Sequence, residues 1–226
     1  MSLIVKICGL STPDALDVAI EAGADMVGFV FFPSSPRNVS LDTARALAAR
    51  VKGRARKVAL SVDADDAMLD AAVEALHPEL LQLHGKETPA RVTALKHRFG
   101  LPVIKAIAVE SRADLDRAQL YRNVADWLLF DARPPREATR PGGLGRSFDW
   151  TLLRGAAPGL PFMLSGGLRP DNVAEALRVT AADAVDVSSG VERAPGDKDP
   201  DKIRAFVRAA REAAAAVVPK PVASPA

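Results

Sequence analysis

Eight short apolar runs recur along the chain, beginning near Leu3, Met26, Lys57, Glu79, Pro102, Asp126, Pro161 and Ala184, at intervals of 22 to 35 residues. Each interval has room for a strand, a turn and a helix of about three turns. The runs Met26-Val27-Gly28-Phe29-Val30-Phe31 and Trp127-Leu128-Leu129-Phe130 are almost continuously apolar. Such runs predict strands covered on both faces, as in a parallel sheet.

Polar residues between the runs mark helix ends. Ser11-Thr12-Pro13-Asp14 offers a capping hydroxyl, a proline at the first helical position and an acid near the positive end of the helix dipole. Thr88-Pro89 and Asp199-Pro200 repeat the cap-then-proline arrangement, and Ser111 with Asp114 is a further start. Gly23 and Gly100 read as helix stops. Ile203, Phe206, Val207 and Ala210 have the spacing of a closing helix.

Eight strand-like runs alternating with helices predict a single-domain α/β fold, a closed (β/α)8 barrel (TIM barrel) over residues 1–216. An open doubly wound sheet is the alternative. The turn after the first run, Cys8-Gly9-Leu10-Ser11-Thr12-Pro13, lacks the Gly-x-Gly-x-x-Gly pattern of a dinucleotide fold. The last residues, 217–226, are rich in proline and alanine and read as a disordered tail.

Composition narrows the function classes. The 226 residues are 48% hydrophobic and 26% charged, as in ordinary globular proteins. A net charge of +2, with arginines spread along helical segments, argues against nucleic acid as a partner. No apolar stretch approaches the ~20 residues that span a bilayer, and the N-terminal apolar run is too short for a signal peptide. A lone cysteine excludes an internal disulfide and fits a cytoplasmic location. The three histidines, His77, His84 and His97, are scattered, so no metal is expected.

The chemistry-bearing residues fall at the ends of the apolar runs, where parallel α/β proteins place their sites. Cys8 ends the first run, Gln82-Leu83-His84-Gly85 the fourth and Asp131 the sixth. Lys105 lies on the fifth. Arg37 follows two prolines, and its fixed fork suits a carboxylate or phosphate. Ser165-Gly166-Gly167 and Ser188-Ser189-Gly190 follow the last two runs, where barrels often hold phosphate on backbone N–H groups. The longest interval carries Pro134-Pro135 and Gly142-Gly143-Leu144-Gly145, the composition of a loop covering a site.

Taken in order, Lys6-Ile7-Cys8-Gly9, Phe29-Val30-Phe31 with Ser35-Pro36-Arg37, Gln82-Leu83-His84-Gly85, Asp131 with Gly142-Gly143-Leu144-Gly145 and Phe148-Asp149-Trp150, Leu164-Ser165-Gly166-Gly167-Leu168, and Asp186-Val187-Ser188-Ser189-Gly190-Val191-Glu192 resemble the phosphoribosylanthranilate isomerases. The resemblance implies a cofactor-free enzyme of tryptophan biosynthesis, a monomer or homodimer acting on a small sugar phosphate by an Amadori rearrangement. By position it implies Cys8 as general base and Asp131 as general acid. It also implies Arg37 on the anthranilate carboxylate, His84 and Asp186 as further substrate contacts, and Gly143, Gly166, Gly167, Ser188, Ser189 and Gly190 around the phosphate. Leu144, Ser165 and Ser61 depart from the residues usual in that family, and none of them replaces the acid, the base or Arg37.

This chemistry requires unusual protonation states. At pH 7 an unperturbed Asp is ~0.1% protonated and an unperturbed Cys ~3% thiolate. The expectation is that burial raises Asp131, while Lys6 and helix N-termini lower Cys8. Two rivals follow from the same residues: a Schiff-base lyase or synthase using Lys105, and a sugar-phosphate-binding protein without catalysis.

Overall fold

A computed structural model of the chain describes residues 3–135, 137–155 and 158–216. The proposed tail, 217–226, lies outside the described residues. Eight parallel strands close into a barrel in chain order: β1 (Ile4–Cys8), β2 (Met26–Phe31), β3 (Arg56–Ser61), β4 (Leu80–Leu83), β5 (Val103–Val109), β6 (Trp127–Ala132), β7 (Phe162–Leu164) and β8 (Ala184–Val187). Every strand begins within one residue of an apolar run predicted from the sequence. The open-sheet alternative is therefore excluded.

Seven α-helices surround the barrel among the described residues: α1 (Pro13–Glu21), α2 (Leu41–Val51), α3 (Asp66–Leu76), α4 (Pro89–Phe99), α5 (Arg112–Ala118), α6 (Val173–Thr180) and α7 (Pro200–Ala216). Their starts follow the local chemistry. Thr12 caps α1 with Pro13 next in line, and Thr88 accepts from Arg91 N at 3.2 Å ahead of Pro89. Asp114 accepts from the backbone N–H of Ser111 at 3.0 Å and secures the first turn of α5. Gly100 ends α4 in the left-handed conformation. Helix α7 buries Ile203, Phe206, Val207 and Ala210 against the barrel. Burial of the larger ones contributes about 1.5–3 kcal/mol each.

The predicted alternation of strand and helix fails at one place. Between β6 and β7 the described chain forms a long loop and a single 3-10 turn, Trp150–Leu153, instead of an α-helix. Pro134, Pro135 and Pro141 lack the N–H a helix needs, and Gly142, Gly143 and Gly145 disfavour its backbone. After β8 a short antiparallel ribbon, β9 (Glu192–Ala194) with β10 (Asp197–Lys198), precedes α7.

Inside the barrel the side chains stack in layers. Met26, Val58, Leu80, Ile104, Leu129, Met163 and Ala184 seal the end where the strands begin. Above them, register pairs Lys6 directly with Asp186. Near the mouth, Cys8 packs with Val30 and Leu60, flanked by Phe32 and Val62. The polar residues thus gather at the C-terminal ends of the strands.

Candidate active site

Strand parity decides which side chains reach the lumen, because successive residues point to opposite faces. Cys8 shares a face with Lys6, Asp131 with Leu129, and Asp186 with Ala184. All three arrive at one cavity in the barrel mouth, lined also by Arg37, His84 and the loops after β7 and β8. Strand β6 is three strands from β1 around the closed sheet by the shorter route, so Cys8 and Asp131 approach from different sides. Lys105 has the opposite parity from Ile104 and Ala106. It leaves the lumen and donates to Glu87 Oε2 at 2.9 Å and Gly85 O at 2.8 Å, between sheet and helices. It does not line the cavity, which removes the lysine Schiff-base reading.

Cys8 is 3% exposed. Lys6, with no exposed surface, donates to Asp186 Oδ1 at 2.7 Å, and Ser165 Oγ donates to Asp186 Oδ2 at 3.2 Å. Asp186 is thus held by protein groups on both oxygens while still lining the cavity. Gly28 on β2 makes room for this cluster: a β-carbon there would lie 2.9 Å from Cys8 Sγ and 3.1 Å from Lys6 Nζ.

The thiol's protonation departs from the sequence expectation. Burial pushes the Cys8 thiol above its ordinary value, and Asp186 adds to the rise, outweighing the opposing pull of Lys6. Burial also works against the charge on Lys6, but Asp186 and Cys8 prevail and hold its ammonium above the ordinary value. The expected lowering of Cys8 is therefore reversed. Lys6 is where the sequence put it, but its charge is largely spent on Asp186.

Asp131 is 7% exposed, with Oδ1 accepting from Ala132 N at 2.8 Å. Its Oδ2 lies 3.2 Å from His84 Nε2, and Gln82 Nε2 lies 3.0 Å from His84 Nδ1. With the Gln82 amide donating to Nδ1, the ring proton sits on Nε2 and points at Asp131. The loop after β6 covers this pair closely. A β-carbon on Gly142 would lie 2.7 Å from Asp131 Oδ2 and 2.8 Å from His84 Nε2, and one on Gly143 would overlap Arg37 Nη1. Only glycine lets the loop descend this far.

Arg37 is buried by a network the sequence did not disclose. Its Nε and Nη2 both donate to Glu192 at 2.7 Å, and Nη2 donates to Gly143 O at 3.1 Å. Lys198, on β10, donates to Glu192 Oε1 at 2.7 Å and to Ser188 O and Oγ at 3.0 and 3.1 Å. Burial disfavours the Glu192 carboxylate, but Arg37 and Lys198 more than compensate and hold it below its ordinary range. Burial lowers Lys198 despite Glu192. The ribbon β9–β10 thus ties Arg37 to the Ser188-Ser189-Gly190 loop. Glu192 had one sequence signal, its place just after Ser-Ser-Gly. Lys198 had none, since it lies in a charged stretch that reads as surface.

Gly166 and Gly167 follow β7 and line the cavity together with Ser188 and Ser189. Among the described residues neither glycine donates a backbone hydrogen bond, so their N–H groups remain for an anion.

Glu192→Gln should test the network. Breaking a buried pair by neutralising one partner costs about 3–5 kcal/mol, so denaturant unfolding should show a large loss. KM should rise as Arg37 loses its position. Wild-type stability together with a wild-type KM would show that Glu192 does not hold Arg37.

A closed parallel barrel with a thiol, a carboxyl and anion-receiving loops at the C-terminal ends of its strands is the layout of a (β/α)8 enzyme for small phosphorylated substrates. Comparison with known proteins specifies it. Residues 5–209 match the family model described as N-(5'phosphoribosyl)anthranilate (PRA) isomerase. The N-(5'-phosphoribosyl)anthranilate isomerase of Rhodopseudomonas palustris strain BisB5 is 66% identical over 211 residues, 93% of this chain and 97% of that protein. The phosphoribosyl anthranilate isomerase of Thermotoga maritima superposes with a TM-score of 0.84 at 36% identity, covering 93% of this chain and 99% of that one. A phosphoribosyl anthranilate isomerase solved in complex with reduced 1-(o-carboxyphenylamino)-1-deoxyribulose 5-phosphate superposes at 0.80 with 34% identity, over 93% and 99% of the two chains. The chain belongs to the N-(5'-phosphoribosyl)anthranilate isomerase family.

Proposed function

We propose that this chain converts N-(5'-phosphoribosyl)anthranilate into 1-(2-carboxyphenylamino)-1-deoxyribulose 5-phosphate, with Asp131 as general acid and Cys8 as general base. The observation that carries this reading is the convergence of both buried groups on one cavity whose rim bears Arg37 and the two anion loops.

The cavity walls suit the substrate's parts. Val30, Phe32, Leu60 and Val62, from β2, β3 and the residues just after them, form an apolar wall for the aromatic ring. Gly166, Gly167, Ser188, Ser189 and Gly190 receive the phosphate on the opposite side, and Gly143 closes over the site. Arg37 takes the carboxylate. Asp186 contacts the sugar while it stays tied to Lys6 and Ser165.

The reaction then needs two proton transfers. Asp131 gives its proton to the furanose ring oxygen as the bond from that oxygen to C1′ breaks, leaving a protonated Schiff base. The Cys8 thiolate removes the proton from C2′, and the electrons of that C–H bond form the C1′–C2′ double bond of an enolamine. Tautomerisation gives the aminoketone. His84, in contact with Asp131 Oδ2, also borders the substrate and holds the acid in position.

The raised thiol has a consequence for pH dependence. The productive form carries one proton on the acid–base pair, placed on Asp131 with Cys8 ionised. The alternative placement, thiol with carboxylate, holds the same number of protons. The ratio of the two does not change with pH. Accordingly kcat/KM should be level from about pH 7 to 8 and decline only where the pair loses its last proton, above the ordinary thiol value of ~8.5. A decline centred well below pH 8 would contradict a burial-raised Cys8.

The function is tested by generating N-(5'-phosphoribosyl)anthranilate in situ and following its fluorescence with purified protein, with Mg²⁺ and EDTA controls. Turnover that survives EDTA is expected. Absence of turnover would leave a binding protein.

A further inference from the structure

Four arginines line the cavity, and two of them are already engaged. Arg37 spends Nε and one hydrogen of Nη2 on Glu192, and gives Nη2 also to Gly143 O. Arg133 is turned to Glu110, at 3.2 Å, and to Asp114. Arg146 is exposed. Arg140, on the loop after β6, differs from these. It is half-buried and lines the cavity, and its Nε is enclosed with no hydrogen-bond partner. No carboxylate among the described residues pairs with it. A shielded guanidinium N–H without an acceptor is costly, and its natural explanation is a ligand that supplies one.

The neighbourhood of Arg140 indicates which ligand group that is. It shares a recess with Arg37, Gly143, Ser189 and Glu192 at the edge of the main cavity. A carboxylate arriving there finds only Nη1 of Arg37 uncommitted, too little for the two-point recognition that a carboxylate forms with a guanidinium. The phosphate, by contrast, already has two glycine N–H groups and the serine loop. We propose that Arg140 is a carboxylate-binding residue of this site, completing with Arg37 a two-guanidinium clamp on the aryl carboxylate and delivered by the loop after β6. This assignment rests on the substrate reading above and deepens it. The loop then senses the substrate directly: Gly142 and Gly143 bring it against Asp131, His84 and Arg37, and Arg140 rewards that position only when a carboxylate is present.

The test is a pairwise one between enzyme and ligand. Binding of reduced 1-(o-carboxyphenylamino)-1-deoxyribulose 5-phosphate, and of the same compound lacking its carboxyl group, is titrated against wild type, Arg140→Ala and Arg140→Lys. A charge-assisted hydrogen bond is worth enough that Arg140→Ala should weaken the carboxylated compound by about tenfold or more. It should change the des-carboxy compound less than about twofold, the scale of a lost contact not made. Arg140→Lys should recover only part of the loss, since lysine is a point charge without the fork. Equal weakening of both compounds would overturn the proposal and assign Arg140 to the phosphate or to the general field. No weakening of either would overturn it as well. Failure of the wild type to bind the carboxylated compound at all would instead sink the substrate reading itself.

Discussion

Cys8→Ala should lower kcat by about 10²–10⁴, the usual contribution of a positioned general base, with KM changed little. The substitution removes the only group on β1 that reaches the cavity with proton-accepting capacity. Lys6 beneath it is held by Asp186 at 2.7 Å and stays an ammonium, so it offers no substitute base. The binding elements lie elsewhere in the chain: Arg37 follows β2, and the anion loops follow β7 and β8. The measurement is steady-state turnover of N-(5'-phosphoribosyl)anthranilate, with thermal unfolding to show that the variant folds. Turnover near that of wild type would assign the base to another residue. Cys8→Ser is a useful companion: it restores the shape and a hydroxyl that does not ionise in the accessible range, so it should recover little activity.

Asp131→Asn should be comparably severe, by about 10²–10⁴ in kcat. Asparagine keeps the size of the side chain and an oxygen to accept from Ala132 N, an interaction now at 2.8 Å. It also keeps a group facing His84. What it loses is a proton that can be given to the ring oxygen. A fall in kcat with an intact fold and a modest change in KM therefore isolates the acid role. The double variant, Cys8→Ala with Asp131→Asn, should lose little beyond the worse single variant, since groups that act as a unit are not additive. Losses that multiplied in full would indicate two independent contributions in place of one acid–base pair.

Much of this was legible in the chain before any coordinates. The strands announced themselves because a parallel barrel buries both faces of each one, leaving apolar runs at nearly even spacing. Helix starts were legible because caps are local chemistry: Thr12-Pro13 and Thr88-Pro89 work within a single turn. Cys8, Asp131 and Asp186 could be placed together because strand ends converge in this fold. Four features were not legible. The loop after β6 was legible from its prolines and glycines, but the single 3-10 turn, Trp150–Leu153, that stands in place of the helix before β7 was not. Lys105 looked like a site residue because it lies on the fifth run, but strand parity sends it outward to Glu87. The Glu192–Arg37 pair joins residues 155 positions apart, and nothing local in either stretch announces it. The sign of the Cys8 shift failed for a related reason: the sequence shows that Lys6 is near, but not that Asp186 already holds it or that burial is nearly complete.

Family membership and fold do not by themselves assign roles to these side chains. That assignment rests on geometry at the reacting atoms, and a crystal structure of this chain with reduced 1-(o-carboxyphenylamino)-1-deoxyribulose 5-phosphate tests it most directly. The account predicts Cys8 Sγ roughly 3–3.5 Å from C2′, near-attack range, and Asp131 within hydrogen-bond reach of the oxygen on C4′ from the other side of the sugar. A ligand seated in the mouth with either side chain turned away from those atoms would contradict it.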